Sequence, residues 1–335
     1  MTSLWRSRSR LAAVLALLFA LVMRVETQGP EPRPVRNDVP RPLRELLVLR
    51  NHELKSGGHE PFYQFSRDAY WPFFERLGAR VVGQWKVVAP DGRGSDSGDD
   101  VYRLVRYASF EHWQSTRQGP DVALGGNGPA WERGQQALND RGGLQTGSKG
   151  AYFLEGVMAP DGPRFMPGLP EAYDRIDEGQ RPSADAAAIP VRAGAMVPGR
   201  EVVELRYQRI RKGAFDRFAA DTLARIWPWE EKLGARPVGQ WKVVHPAAPS
   251  RTKESAEFDE VITMTRYASR GHQRAMAADV AVYMGGNGPD WQAWRAALEA
   301  QRTATLETRS ELMEGHMFQS PPVYLAELPE RYGRK

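Results

Sequence analysis

The chain contains an internal repeat, and this repeat limits what it can fold into more than any other feature. Residues 77–88 read LGARVVGQWKVV and residues 233–244 read LGARPVGQWKVV, with Val81 against Pro237 as the one difference. Two more motifs recur in the same order, Arg-Tyr-Ala-Ser at 106–109 and 266–269, and Gly-Gly-Asn-Gly-Pro at 125–129 and 285–289. Such a repeat predicts two copies of one structural unit.

Hydrophobic patterning predicts the same elements in both copies. Short apolar runs indicate strands, and apolar residues at every third or fourth position indicate helices. The first strand is followed by a helix ending in Trp-Pro, which should kink its last turn. The repeated stretch is the second strand, and a Ser-capped helix follows the third. The fourth strand is predicted at 151–158 and at 310–318.

The resulting order, β-α-β-β-α-β, is that of a ferredoxin-like unit with helices on one face of an antiparallel sheet. Two tandem units in one chain predict an α+β fold in which the bare sheet faces cover each other. The predicted organisation is an export signal or N-terminal anchor (1–28), a Pro-rich tether (29–44), a first α+β domain (45–158), a Pro/Gly/Ala-rich linker (159–200), a second α+β domain (201–320) and a C-terminal tail (321–335).

Charge and composition exclude some classes of function. The net charge of +5 comes entirely from residues 1–44, and the remainder of the chain is electrically balanced. A basic surface for phosphate backbones is therefore missing, and no nucleic-acid partner is predicted. The chain has no Cys, which excludes disulfides, thiolate metal sites and Cys nucleophiles.

The N-terminus has the pattern of an export signal. Arg6, Arg8 and Arg10 precede an apolar run from Leu11 to Met23, which is short for a membrane span. We expect an exported protein, periplasmic or secreted, which contacts a membrane only if this segment stays uncleaved as an anchor.

The pattern also resembles a known family. An Arg near the end of the first strand, a helix ending W-P-x-x-E-x-L-G-A-R, then V-G-Q-W-K-V-V and R-Y-A-S are similar to the NIPSNAP family of the dimeric α+β barrel superfamily, over residues 45–158 and 201–318. The resemblance implies two ferredoxin-like sheets that pack face to face as a barrel within one chain. It implies pockets between sheet and helices, but no catalytic residues.

Arg50 and Arg206 occupy matching positions near the end of the first strand of each copy. Either could bind a carboxylate or phosphate of a ligand. The alternative, which we favour at this stage, is a structural ion pair with Glu155 and Glu314 respectively.

Strand alternation places Trp85 and Trp241 on the face opposite their polar neighbours. The tryptophans are predicted to be core residues. The polar neighbours are candidate ligand-binding residues: Gln84, Lys86, Gln240 and Lys242.

A Tyr ends the third strand of each copy, and a His follows five residues later. Such a pair could perform proton abstraction, so the candidate catalytic residues are Tyr107 with His112 and Tyr267 with His272. The alternative is that these histidines are solvent-exposed helix-start residues without a catalytic role.

No cofactor and no metal are predicted, because the six His residues form no ligand-like grouping. Three hypotheses of function follow. The first is binding of a small, partly apolar molecule between sheet and helices. The second is an enzyme of the cofactor-independent monooxygenase or isomerase kind. The third is a structural or interaction barrel. The chain is expected to be a monomer with an internal pseudo-dimer, or a homodimer.

Overall fold

The computed structural model describes residues 46–76, 79–88, 99–107, 109–117, 129–158, 201–246, 253–267, 269–277 and 288–317. These residues form a closed antiparallel β-barrel with helices on its outside. The chain is thus an α+β protein built around a barrel, as predicted. Among the described residues, no helix is both long and apolar enough to cross a membrane.

The described chain contains eight strands and eight α-helices, in the order β-α-α-β-β-α-α-β in each half. The strands are β1 (Leu46–Leu54), β2 (Arg80–Val88), β3 (Asp99–Tyr107), β4 (Gln145–Met158), β5 (Val202–Arg211), β6 (Arg236–Val244), β7 (Phe258–Tyr267) and β8 (Thr305–Met317). The helices are α1 (His59–Phe65), α2 (Trp71–Arg76), α3 (Phe110–Ser115), α4 (Pro129–Leu144), α5 (Phe215–Asp221), α6 (Trp227–Lys232), α7 (Arg270–Ala277) and α8 (Pro289–Ala304).

Hydrogen bonds close the barrel in the order β1-β3-β2-β8-β5-β7-β6-β4. Residues 46–158, the first half, contribute four neighbouring strands in the order β4-β1-β3-β2, and residues 201–317, the second half, contribute β8-β5-β7-β6. The halves meet at two seams, where β2 pairs with β8 and β4 pairs with β6. Both seams are hydrogen-bonded, so the sheet has no free edge.

The barrel interior is a hydrophobic core to which both halves contribute. Trp85 and Trp241 lie in it and are 1% and 0% exposed, which confirms their prediction as core residues. The interior is therefore filled by side chains.

Each Trp-Pro helix contains a π-helical turn immediately before its Trp. The turns are Ser66–Tyr70, between α1 and α2, and Thr222–Ile226, between α5 and α6. Proline has no N–H and its ring crowds the carbonyl four residues earlier, and the wider π turn relieves that clash. The sequence predicts a kink at Trp-Pro, and the irregularity instead lies just before it.

The fourth strand of each half begins earlier than predicted. β4 starts at Gln145 and β8 at Thr305, directly after α4 and α8, whereas the sequence predicts starts at Ala151 and Ser310. The added segments are polar and carry no apolar alternation, but they pair with the first strands, for example Gln145 with Leu54. Pairing with β1 and β5 therefore extends these strands against the sequence pattern.

Glycine allows close approach of the strands at both seams. Gly315 of β8 lies opposite Trp85 of β2, and Gly156 of β4 lies opposite Trp241 of β6. A Cβ atom at Gly315 would lie 2.6 Å from the Cα of Trp85 and would also clash with the carbonyl oxygen of Gln84. The Glu-Gly pair shared by both fourth strands thus has a structural cause.

The predicted domain boundaries stay predictions. The signal, the tether, the linker and the C-terminal tail all lie outside the described residues, as does the helical turn expected near Glu171.

We predict that Gly315→Ala lowers the free energy of unfolding by about 1–3 kcal/mol, because the added methyl group meets backbone atoms of β2 that cannot move aside cheaply. Gly142→Ala is the matched control. Gly142 lies in α4 with open space around it, so alanine there should be neutral or should stabilise by up to about 1 kcal/mol. Urea denaturation measures both. Equal stability of the two variants would contradict the close seam.

Candidate functional site

The outer face of the first half carries two arginines side by side beneath the helices. Arg50 of β1 pairs directly with Arg103 of β3, and Arg103 pairs in turn with Gln84 of β2. Like charges directly opposite each other on neighbouring strands are destabilising. The layer of side chains packed between this sheet face and α1, α2 and α4, which we call the first cleft, therefore holds an arrangement that fold stability alone does not favour.

Two more arginines reach the first cleft from the helical side. Arg141 of α4 is 1% exposed, and its guanidinium lies between two aromatic rings, 4.2 Å from the ring centroid of Phe62 and 4.2 Å from that of Tyr70. Arg117, just after α3, is exposed; it donates to the hydroxyl of Tyr107 at 3.5 Å and interacts electrostatically with Tyr70. Four cations thus converge on one side chain, Tyr70.

Several guanidinium nitrogens in the first cleft are buried without a hydrogen-bond partner. They are Nε of Arg50, Nε and Nη1 of Arg103, and Nε and Nη2 of Arg141. Both amide atoms of Gln84, which is fully buried, are also unpaired. Within the part of the chain that the structure describes, no ion pair joins Arg50, Arg103 or Arg141 to a carboxylate. Buried charges are normally paired. These guanidinium nitrogens are therefore an unusual set of donors, because the described residues supply no acceptor for them.

The arginines change the ionisation of their neighbours. Burial by itself raises the pKa of the Tyr70 phenol, but Arg103, Arg117, Arg141 and Arg50 together lower it to about 8. Burial, with repulsion from Arg103 and Arg141, holds the pKa of His52 well below its usual value. His52 is therefore neutral and adds no charge, while its Nδ1 lies 2.9 Å from Oε1 of Gln145.

Burial and repulsion between neighbouring arginines also destabilise the charged form of the guanidinium groups. Burial, together with Arg117 and Arg103, lowers the pKa of Arg50 to about 10. Burial, together with Arg103, lowers the pKa of Arg141 to about 9. Both shifts have the sign expected when cations are buried close to one another without counterions.

The corresponding cleft of the second half, here the second cleft, has its own counterions. Nη2 of Arg206 lies 3.0 Å from Oε1 of Glu204, and the hydroxyl of Tyr267 donates to Oε2 of the same carboxylate at 3.3 Å. Burial would raise the pKa of Glu204, but Arg206 and these hydrogen bonds lower it. Burial raises the pKa of nearby Glu230 to about 7.

Substitutions between the halves account for this contrast. Arg103 corresponds to Thr263 and Arg141 to Gln301, so two cations are replaced by neutral groups that are hydrogen-bonded. Val48 corresponds to Glu204, which introduces an anion. The amide of Gln240 donates to Thr263 at 3.1 Å, whereas Gln84, its counterpart, has no partner. In the second cleft Arg206 has a carboxylate partner and Oε1 of Gln240 stays unpaired, whereas in the first cleft guanidinium nitrogens of three arginines and both amide atoms of Gln84 are unpaired.

The ion pairs favoured for Arg50 and Arg206 at the sequence level are wrong. Strand register places Arg50 opposite Ala151 and Arg206 opposite Ser310, each four residues from the expected glutamate, or roughly 13 Å along the strand. Arg206 pairs with Glu204 instead. Glu314 binds Arg270, with 2.7 Å between Oε1 and Nη2.

Lys86 and Lys242 each form an ion pair with an aspartate near the ends of the barrel strands. Nζ of Lys86 lies 2.8 Å from Asp99, and Nζ of Lys242 lies 3.0 Å from Asp259. Asp99 also accepts the backbone N–H of His59 at 3.0 Å, which ties the start of α1 to β3. Both lysines therefore fix the ends of strands, and neither joins the arginine cluster.

The structure separates the polar atoms of the second Tyr–His pair. The rings of Tyr267 and His272 meet edge to face with centroids 5.5 Å apart, but Tyr267 donates to Glu204, and Nε2 of His272 donates to the carbonyl of Leu233 at 3.0 Å. His272 is fully buried, so the alternative of a solvent-exposed His is wrong here. Ser269 caps its helix, as predicted. In the first pair, the hydroxyl of Tyr107 accepts from Arg117 at 3.5 Å, and the side chain of His112 lies outside the described residues.

The barrel interior offers little room. At one mouth lies a cavity of about 10 Å³, enough for about one water molecule. Its lining residues are Tyr102, Tyr152, Leu205, Tyr207, Ile262, Arg309 and Glu311. Within the described ranges, no group of three His, Asp or Glu side chains could hold a metal ion.

Comparison with known proteins gives distant similarities only. No family model matches the sequence, and neither does any curated protein. A candidate monooxygenase from Lactobacillus acidophilus NCFM has a TM-score of 0.47 at 8% identity, covering 84% of this chain and 99% of that one. An anthrone oxidase-like protein has a TM-score of 0.41 at 14% identity, covering 84% and 97%.

A NIPSNAP-like domain protein from Burkholderia xenovorans matches a smaller part of the chain. Its TM-score is 0.26 at 15% identity, and the match covers 38% of this chain and 97% of that one. Similarities this distant say nothing about activity, so function has to be argued from the residues of the clefts.

We predict that His272 stays neutral in the folded protein at all but strongly acidic pH, because burial lowers its pKa to about 3. The unfolded chain takes up this proton below about pH 6.5. Stability from this residue is therefore complete above that pH and falls by at most about 1.4 kcal/mol per pH unit on acidification. An NMR titration of the ring measures the pKa, with His272→Gln assigning the signal. Titration near the ordinary histidine value would contradict the burial.

Proposed function

We propose that the first cleft binds a small, partly apolar molecule through an anionic group. The observation that carries this proposal is the set of buried guanidinium donors on Arg50, Arg103 and Arg141 that have no acceptor among the described residues. An oxyanion would accept from these donors and would neutralise the repulsion between Arg50 and Arg103. Guanidinium groups suit this role, because their planar fork matches a carboxylate or phosphate.

The surroundings support a ligand with an apolar body. Phe62 and Tyr70 flank Arg141, and Phe74 packs against Tyr70 with ring centroids 4.6 Å apart. Pockets of this kind combine aromatic walls with a few polar groups that fix orientation. The amide of Gln84 supplies one further donor and one further acceptor at the floor of the cleft.

The second cleft supports the same reasoning by contrast. It retains an arginine at the matching position, Arg206, but Glu204 already occupies the acceptor role there. We therefore assign anion binding to the first cleft alone, with one ligand per chain.

The enzymatic hypothesis would use the same cleft. A cofactor-independent monooxygenase or isomerase needs a titratable group beside its substrate, and Tyr70 is the group in that position. Tyr267 and His272 support it less, because both are engaged by Glu204 and Leu233.

We further infer that each half is a ferredoxin-like unit and that the chain is a tandem, NIPSNAP-like protein. The strand order within each half, the π turn before each Trp-Pro and the Trp–Gly pairing at both seams support this inference. Export and a monomeric state with an internal pseudo-dimer are part of the same proposal.

Binding can be tested with benzoate and phenyl phosphate as probes and neutral benzamide as the uncharged control. We predict that the protein binds an anionic probe and not benzamide in isothermal titration calorimetry. Arg103→Thr and Arg141→Gln install the residues of the second half. Each should weaken binding roughly 10- to 100-fold, because a hydrogen bond to a charged group contributes about 1.5–3 kcal/mol.

Stability separates this role from a structural one. If Arg103 serves a ligand, Arg103→Thr should raise the free energy of unfolding of the ligand-free protein by up to about 1 kcal/mol, since it removes a like-charge pair. A structural Arg103 would give the opposite sign. Arg302→Gln is the charge-matched control, because Arg302 is exposed and pairs only with Glu299 among the contacts described; it should leave affinity unchanged. No binding of either anion by the wild-type protein would contradict the proposal.

A further inference from the structure

We propose that at alkaline pH the phenolate of Tyr70 is the internal counterion of the first cleft, and that an incoming oxyanion takes over this role, so that Tyr70 takes up a proton when the ligand binds. The inference rests on the proposed anion-binding function and concerns its coupling to protons. The ligand class it requires is a small oxyanion, a carboxylate or a phosphate.

The geometry places Tyr70 at the centre of the cations. The guanidinium carbon of Arg141 lies 4.2 Å from the ring centroid of Tyr70, and that of Arg103 lies 5.5 Å from it. Arg50 of β1 and Arg117 after α3 also act on Tyr70 electrostatically. Cations this close to a buried phenol favour its phenolate form over the phenol.

The remaining neighbours of Tyr70 do not compete for this role. Phe74 is apolar, and His52 is held neutral. Tyr107 is the other nearby phenol, and its hydroxyl accepts from Arg117 at 3.5 Å. Within the described residues, no carboxylate faces these arginines, so Tyr70 is the group best placed to offset their charge.

The direction of the coupling follows from the charges. Without ligand, the four arginines outweigh burial and lower the pKa of Tyr70 to about 8. A bound oxyanion cancels part of that positive field, so the pKa rises towards the ordinary phenol value of about 10. Between these two values, binding converts phenolate to phenol and one proton is taken up. As the pH rises above about 8, the phenolate competes with the ligand and affinity falls.

The proton balance of the step is simple. The ligand anion binds to the protein, and a proton from the solvent is added to the Tyr70 phenolate. The product is a complex that contains the Tyr70 phenol. No bond in the ligand breaks and no electrons are transferred. The ligand keeps its charge, and its oxygens replace the phenolate oxygen as acceptors for Arg141 and its neighbours.

The test is calorimetric titration of the full chain with benzoate in two buffers of different ionisation enthalpy. We expect uptake of close to one proton per ligand at about pH 9 and little uptake at about pH 6.5. Affinity should fall by up to about tenfold per pH unit between about pH 8 and pH 10. Addition of benzoate at the higher pH should also reduce the ultraviolet absorbance of tyrosinate. Phenyl phosphate in place of benzoate distinguishes a carboxylate site from a phosphate site.

Tyr70→Phe should bind benzoate with clearly less proton uptake than the wild type at about pH 9 and with a weaker dependence of affinity on pH. Uptake that remains would come from Arg141 and Arg50, whose lowered pKa values a bound anion also raises. Tyr63→Phe is the matched control, because Tyr63 stacks on His316 with ring centroids 3.8 Å apart, away from the arginine cluster; it should keep the wild-type proton uptake. Binding by the wild type without proton uptake, or equal uptake by Tyr70→Phe, would overturn this inference while leaving the anion site in place. Failure of the wild type to bind either probe would overturn both.

Discussion

Closure of the barrel by main-chain hydrogen bonds at two seams is the constraint on which the rest of this structure depends. β2 pairs with β8 and β4 with β6, and each seam places a glycine opposite a buried tryptophan. The close approach of backbones there leaves the indole rings of Trp85 and Trp241 inside. Those rings and their neighbours fill the interior. The binding site that we propose therefore lies on the outer face of the sheet, under helices that the same strands position.

On that outer face the two halves differ in whether their arginines have partners within the chain. In the second cleft Glu204 accepts from both Arg206 and Tyr267, so a carboxylate of the chain already occupies the anion position. The first cleft contains three arginines with buried guanidinium nitrogens that lack acceptors among the described residues. Burial of unpaired charge is costly, so the first cleft is stable only because the surrounding barrel supplies enough packing to tolerate it. That imbalance is the physical reason to expect a ligand there.

The repeat and the patterning of apolar residues were sufficient to predict the α+β class, the order of elements, the buried tryptophans and the serine cap at Ser269, while the barrel was implied by the family resemblance. They failed where pairing overrides local pattern, as in the polar beginnings of β4 and β8, and where backbone relaxation is subtle, as in the π turns. The expected pairing of Arg50 with Glu155 failed because alternation gives the face of a residue but not the register of its neighbour.

The candidate site was predicted only in part, for a specific reason. Arg50 and Gln84 were found because both halves retain them. Arg103, Arg141 and Tyr70 were missed because the second half has Thr263, Gln301 and Ile226 at those positions, and a search for shared residues passes over such differences. The available signal was a basic residue in one copy against a neutral residue in the other, at positions that patterning places beneath the helices.

The covalent connection between the halves has a consequence for how such a protein can change. In a symmetric pair of identical chains, every substitution is made twice, and an arginine that benefits one pocket is imposed on its mate. Here each pocket is encoded separately. One can accumulate charge that would be intolerable in duplicate, while the other compensates by adopting an internal partner and contributing rigidity. Joining the halves therefore permits a division of labour that the symmetric assembly cannot express.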